Sequence, residues 1–306
     1  MQKLVLLGII AVICITASII NPNFFAVRNF LAILQQIAVL GIITIAMLSL
    51  MIARTIDLSL GAIIGLCGGI LCKMMMAGYS IYRAVSFVFL LSGFCGFLNG
   101  LIVTKSKSEP LIITLGMSFF YNGLALVITD GGFLSLKGHL SWLGSGSLLG
   151  IPVPVLVLFI LMLLMHFILK FTKYGRRLHL IGANEEMAYL SGIAVDQYKI
   201  INYTIGGFIT GIATLVLVAR LGNILAGSGN GYEFRALSAA IIGGVTFEGA
   251  IGDVPGVFLG AILLGVVSNA MNVLGVSAFY QTAVMGLIIV AAVTISNINK
   301  KKRNKT

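Results

Sequence analysis

The sequence predicts an all-α, polytopic membrane protein of about ten transmembrane helices, one of them a candidate half-helix. Three observations carry that expectation. Of the 306 residues, 59% are hydrophobic and 9% charged, against roughly 45–50% apolar and about 25% charged in a soluble domain. So few charges cannot keep the surface of a water-soluble globule wetted, which excludes a soluble enzyme. Low hydrophobicity is what disorder requires, so a disordered chain is excluded too. Second, the apolar residues gather into runs of membrane-spanning length, about 20 residues each. Third, there are 37 glycines, as expected where membrane helices approach closely. One membrane domain over residues 1–306 accounts for the whole chain.

The runs fall at roughly 4–20, 31–52, 58–76, 84–104, 111–129, 151–169, 200–220, 236–247, 254–275 and 279–297. The first follows Lys3 and offers small residues at Thr16-Ala17-Ser18, as a signal peptide would. It is read as a retained span, because nothing downstream resembles an exported soluble domain. The second holds Gln35 and Gln36. The third follows Asp57 with Gly61 and Gly65, and the ninth follows Asp253 with Gly256 and Gly260. Each is an acid at a span entrance followed by GxxxG, a hint of duplicated halves. The eighth run is short and bounded by glycine-rich sequence, as in the broken helices that line transporter pathways. Of the loops, 130–150 carries Trp142, an interfacial anchor, and 170–199 is the longest polar segment.

With both termini cytoplasmic, that side receives Lys3, Arg54, Lys105, Lys107, Lys170, Lys173, Arg176, Arg177, Lys199 and the basic tail from Lys300. The other side receives Arg28, Lys73, Arg83, Lys137, Arg220 and Arg235. The positive-inside rule favours this orientation and an even number of spans, in a cell inner (plasma) membrane. The net charge of +11 is thereby read as a topology signal and an attraction to anionic lipid, with no nucleic-acid partner.

Several chemistries have no signature. The cluster Gly227-Ser228-Gly229-Asn230-Gly231 lacks the lysine and preceding strand of a phosphate loop, so no ATPase site is expected. His139, His166 and His179 are scattered, and Cys14, Cys67, Cys72 and Cys95 form no CxxC pair. Neither a metal site, a cofactor nor a disulfide framework is expected. The nine acids are read at span ends or in loops, whereas ion-coupled carriers place carboxylates at mid-membrane. The spans offer amides instead: Gln35, Gln36, Asn99, Asn122, Asn202, Asn269, Asn272 and Gln281. These groups suit a pathway for a hydroxylated solute, and equally suit interhelical hydrogen bonds worth roughly 0.6 kcal/mol each.

The most informative segment lies in the 170–199 loop. Asn184 is a good N-cap, Glu185 and Glu186 complement a helix dipole, and Gly192 suits a left-handed C′ position. A helix of about two turns results, presenting Met187, Tyr189 and Leu190 away from the bilayer. It suits docking into a partner's groove; a helix lying on lipid is the alternative.

Glu186-Met187-Ala188-Tyr189-Leu190-Ser191-Gly192 fits E-x-A-x-x-x-G, the cytoplasmic motif of permease subunits in ATP-binding-cassette importers. Further segments resemble the ribose/branched-chain permease family in order: Asn21 to Phe25, Ile56 to Gly61, Pro110 to Gly116, Gly231-Tyr232-Glu233, Ala239 to Thr246, and Asn272 to Val276 followed by Tyr280-Gln281. Arg54-Thr55, Phe234-Arg235 and Asp253-Val254-Pro255 depart from the family's usual residues. The resemblance implies a transport subunit for a sugar or sugar-like solute (ribose, another monosaccharide or autoinducer-2), working by alternating access. Its implied partners are cytoplasmic ATPase subunits, an extracytoplasmic solute-binding protein and a second permease subunit, identical or not. Asn184, Glu185, Glu186, Met187, Ala188, Leu190 and Gly192 would couple it to the ATPase, and Asp57 would act as an N-cap and packing residue. A nucleoside or branched-chain amino-acid permease, and less so an ion-coupled carrier, are the alternatives.

Overall fold

The computed structural model describes residues 2–303. Lys305 and Thr306 of the basic tail, and the side chains of 295–303, lie outside the described residues. The chain is nearly all helix. In order come α1 (Gln2–Ile20), α2 (Val27–Ile52), α3 (Leu60–Met76), α4 (Ile81–Ser106), α5 (Pro110–Thr129), α6 (Ser141–Ser145), α7 (Val153–Phe171), α8 (Lys173–Ala183), α9 (Glu185–Leu190), α10 (Val195–Leu221), α11 (Tyr232–Ile242), α12 (Val254–Val273) and α13 (Ala278–Arg303). The 130–150 loop adds two-residue strands. β1 (Leu134–Ser135) pairs with β4 (Asn223–Ile224), and β2 (Ser147–Leu148) with β3 (Ile151–Pro152), both antiparallel. Trp142 stands exposed on α6 beside them.

Each apolar run lies on a helix, but seven helices among the described residues are long and apolar enough to cross a membrane: α1, α2, α4, α5, α7, α10 and α12. α3 has 17 residues and falls just short. α11 has 11 residues, about 16 Å at 1.5 Å per residue, roughly half the hydrocarbon thickness. It also starts four residues earlier than the run predicted. Gly231 enters the left-handed region (φ +86°) and opens the helix at Tyr232, and Gly243 ends it.

α2 forms the centre. Every residue from Ile37 to Ile52 is buried, around its whole circumference, as expected of a helix that is apolar on all sides. α7, α10, α11 and α12 surround it. By contrast α1 and α5 keep most of their apolar surface exposed, the pattern of helices that face lipid tails. The two GxxxG faces grip one object. Gly61 and Gly65 of α3 lie against the backbone of Gly229 and Ala226, and Gly256 and Gly260 of α12 lie against Gly243 and Ala239. A Cβ at Gly260 would stand 2.0 Å from the Ala239 carbonyl oxygen, so only glycine permits the contact. The segment from Ala226 through α11 is thus held between α3 and α12.

Candidate functional site

The α8–α9 elbow is built by local capping. The Thr172 side chain accepts from Gly175 N–H and opens α8; Asn184 Oδ1 accepts from Met187 N–H at 3.0 Å and opens α9. Glu185 and Glu186 occupy the first turn of α9, and Glu185 pairs with Lys199 at 2.6 Å. Gly192 turns left-handed (φ +78°), so that its N–H reaches Tyr189 O and the next, Ile193 N–H, reaches Ala188 O. The faces of α9 divide cleanly. Ala188 is buried with Ile181, Ile193 and Val195, whereas Met187, Tyr189 and Leu190 are 59%, 71% and 71% exposed.

The sequence reading placed α9 in a polar loop and missed α8, the amphipathic helix beneath it. α8 buries Leu178, Ile181 and Gly182 and is fastened to the core. A Cβ on Gly182 would lie 1.8 Å from the Ile52 carbonyl oxygen at the end of α2. Ala250 N–H donates to that carbonyl at 2.9 Å, and His179 Nδ1 bonds Ala250 O at 2.7 Å. A second line runs through Tyr174, which stacks on Tyr198 and donates to Asn202 Oδ1; Asn202 Nδ2 in turn donates to Ser49 O at 2.7 Å. Burial first, and the Tyr198 phenol second, push the Tyr174 hydroxyl well up, so it stays a neutral donor. Arg177 lies over Tyr198 and donates to its hydroxyl. α8, on which α9 packs through Ala188 and Ile181, is thus tied to α2 and to the 243–253 loop.

The amides of the spans fall into two separate groups. Near the α8–α9 end, Asn99 is fully buried: its Nδ2 donates to Asp57 Oδ2 and Ser59 Oγ, and its Oδ1 accepts from Tyr121. Asp57 does not cap α3 directly; it accepts from Ser59 N–H, and Ser59 is the N-cap residue. Toward the opposite end, Asn269 exchanges two hydrogen bonds with Asn29, Gln36 donates to Ser268, and Gln281 donates to Asn272. Gln35 and Asn122 are half-buried, with no side-chain hydrogen bond among the described residues. The structure does not bring the eight amides to one point.

Two ionisable residues of α11 lie deeper than the sequence reading allowed. Glu233, assigned to a span end, is only 7% exposed; its Oε1 accepts from Gly231 N–H and its Oε2 has no partner. Arg235, counted in an external loop, stands half-buried within α11. The displaced start of the short run was the available signal: Tyr232 to Arg235 belong to the helix. No group of three or more metal-binding side chains occurs among the described residues.

Residues 29–293 match the family described as branched-chain amino acid transport system / permease component. The chain is 35% identical to the ribose import permease protein RbsC of Bacillus subtilis, over 96% of this chain and 92% of that protein. It is 33% identical to the D-allose transport system permease protein AlsC of Escherichia coli, over 96% and 91%. Identity to that bacterium's L-arabinose transport system permease protein AraH is 32%, over 97% and 91%. No solved structure matches.

Proposed function

Since the chain belongs to the family of branched-chain amino acid transport system permease components, we propose that it is the membrane-spanning permease subunit of an ATP-driven importer for a sugar or sugar-like solute. Relatives named for ribose, allose and arabinose transport support the solute class. ATP hydrolysis belongs to partner ATPase subunits, and solute is delivered by an extracytoplasmic binding protein. A second permease subunit, identical or not, completes the pathway. About ten segments cross the inner membrane, with α3, α11 and α13 joining the seven longer helices. The α8–α9 elbow and both termini face the cytoplasm, on the balance of lysine and arginine.

The observation that carries the reading is the contrast within the elbow. α9 offers Met187, Tyr189 and Leu190 to a partner while α8 is locked to the end of α2. An exposed apolar triplet on a capped helix is a surface for a groove, and the lock passes its displacement to the most buried helix of the bundle. Adjacent Glu185 and Glu186 oppose contact with anionic headgroups, which disfavours the lipid-lying alternative. Asn184, Glu185, Glu186, Met187, Ala188, Leu190 and Gly192 thus form the coupling element. ATP-driven closure of the partner subunits shifts the permease between outward- and inward-open states because each partner binds one state better.

Reconstitution in proteoliposomes with the cognate ATPase and binding protein tests this. Hydrolysis stimulated by loaded binding protein, with uptake of labelled ribose or a related sugar, is expected. Uptake by the chain alone under a proton or sodium gradient overturns the reading. Uptake of leucine or a nucleoside in place of sugars would keep the coupling scheme and overturn the solute class.

A further inference from the structure

In the proposed topology α11 carries Arg235 toward the middle of the membrane. Its contacts with α12 are antiparallel, Gly243 against Gly256 and Ala239 against Gly260. One turn beyond Ala239 brings Arg235 level with Leu264, about 15 Å from either end of α12 at 1.5 Å per residue. Tyr232, three residues earlier, shares the Arg235 face of α11 and stands a turn further along, level with the bond from Gln36 to Ser268. Arg220, at the end of α10, reaches into the same layer and donates to the Gln35 carbonyl at 3.2 Å.

Neither cation is neutralised. No carboxylate pairs with Arg220 or Arg235 among the described residues, and the Arg235 side chain makes no hydrogen bond there. The nearest acid in sequence, Glu233, is two residues from Arg235 and so on the other side of α11, where it is buried against Gly61 of α3. An arginine at this depth is costly unless it is paired or faces a water-filled path, and such residues mark solute pathways. Guanidinium is also the side chain best matched to carboxylate and phosphate oxygens. We propose that Arg220 and Arg235 form an oxyanion-binding station in the translocation pathway, and that the physiological solute is a sugar-like molecule bearing a carboxylate or phosphate group. This rests on the permease reading and narrows its solute class.

The test compares a neutral sugar with its charged counterparts. In proteoliposomes holding the complete transporter, glucuronate or ribose 5-phosphate should be taken up in preference to glucose or ribose. Arg235→Gln should reduce uptake of the charged solute about tenfold, the loss of one charge-assisted contact, while loaded binding protein still stimulates ATP hydrolysis. Arg235→Lys should restore part of the uptake. Separately, glucuronate should raise the melting temperature of the purified full chain above that in sodium chloride of equal ionic strength, and Arg235→Gln should abolish the rise. Equal or better uptake of the neutral sugars, or an unchanged glucuronate effect in Arg235→Gln, overturns the proposal. Failure of the permease reading is seen independently, as loss of ATP-dependent uptake of every solute in the unaltered chain.

Discussion

At Asn99 one amide satisfies three neighbours, and its surroundings separate a packing role from a solute-binding one. Asp57, Ser59 and Tyr121 lie on α4's neighbours and take up the whole side chain. Asn99→Leu would leave the Asp57 carboxyl and the Tyr121 hydroxyl short of partners in a buried site, a loss of about 1–3 kcal/mol. The detergent-solubilised variant should inactivate at a lower temperature, with transport per folded molecule preserved. Normal thermal stability with lost uptake would instead make Asn99 a solute contact. Gly182 offers a second residue-scale test. Gly182→Val places a branched side chain where a single Cβ already meets the Ile52 carbonyl. It should push α8 off α2, leaving ATPase association intact and uncoupling hydrolysis from uptake. Coupled transport at the normal rate would contradict the route from α9 to α2.

Among the elements, α9 was legible in the sequence because its determinants are local. Asn184 caps and Gly192 closes within nine residues, and neither depends on what lies opposite. The apolar runs were legible for the same reason: a span announces itself by its own composition. α11 was not, since its depth is set by contacts across helices, Gly243 and Ala239 with α12 and Glu233 with Gly61 of α3, which the composition of the run itself does not record. Glu233 therefore reads as a span-end charge and Arg235 as a loop charge when both stand inside the bundle. α8 escaped because its apolar face is a narrow stripe between basic residues. The prediction at this scale concerns α9. Leu190→Asp places a charge in a desolvated contact, a penalty of several kcal/mol, so the ATPase should no longer copurify although the variant still inserts. Gly192→Val should weaken association too, since a β-branched residue resists the left-handed turn. Lys137→Gln, far from the elbow, should leave association unchanged. Retained ATPase and normal uptake in Leu190→Asp would remove the coupling role from residues 184–193.

For the whole molecule, the elements agree on which ends belong together. Lys3 pairs with Asp253 at 2.5 Å, joining the starts of α1 and α12. Ala250, in the loop before α12, bonds both His179 of α8 and the end of α2. The start of α1, the end of α2, the elbow and the entrance to α12 therefore share one end of the bundle. The strand pairs and Trp142 share the other, where β4 follows α10. Lysine and arginine crowd the first end through Arg176, Arg177 and their neighbours, and the proposed orientation, argued from the positive-inside rule, turns this end to the cytoplasm. A single impermeant thiol reagent checks the orientation in a background with Cys14, Cys67, Cys72 and Cys95 replaced. Cysteine at Lys137, on the exposed far loop, should label in intact cells. Cysteine at Ser191 should label only after the membrane is opened, as should one at Thr306. Because Lys137 and Ser191 occupy opposite ends of the bundle, their accessibilities must differ. Labelling of Ser191 from outside would invert the molecule, expose α9 to the wrong compartment and deny it an ATPase.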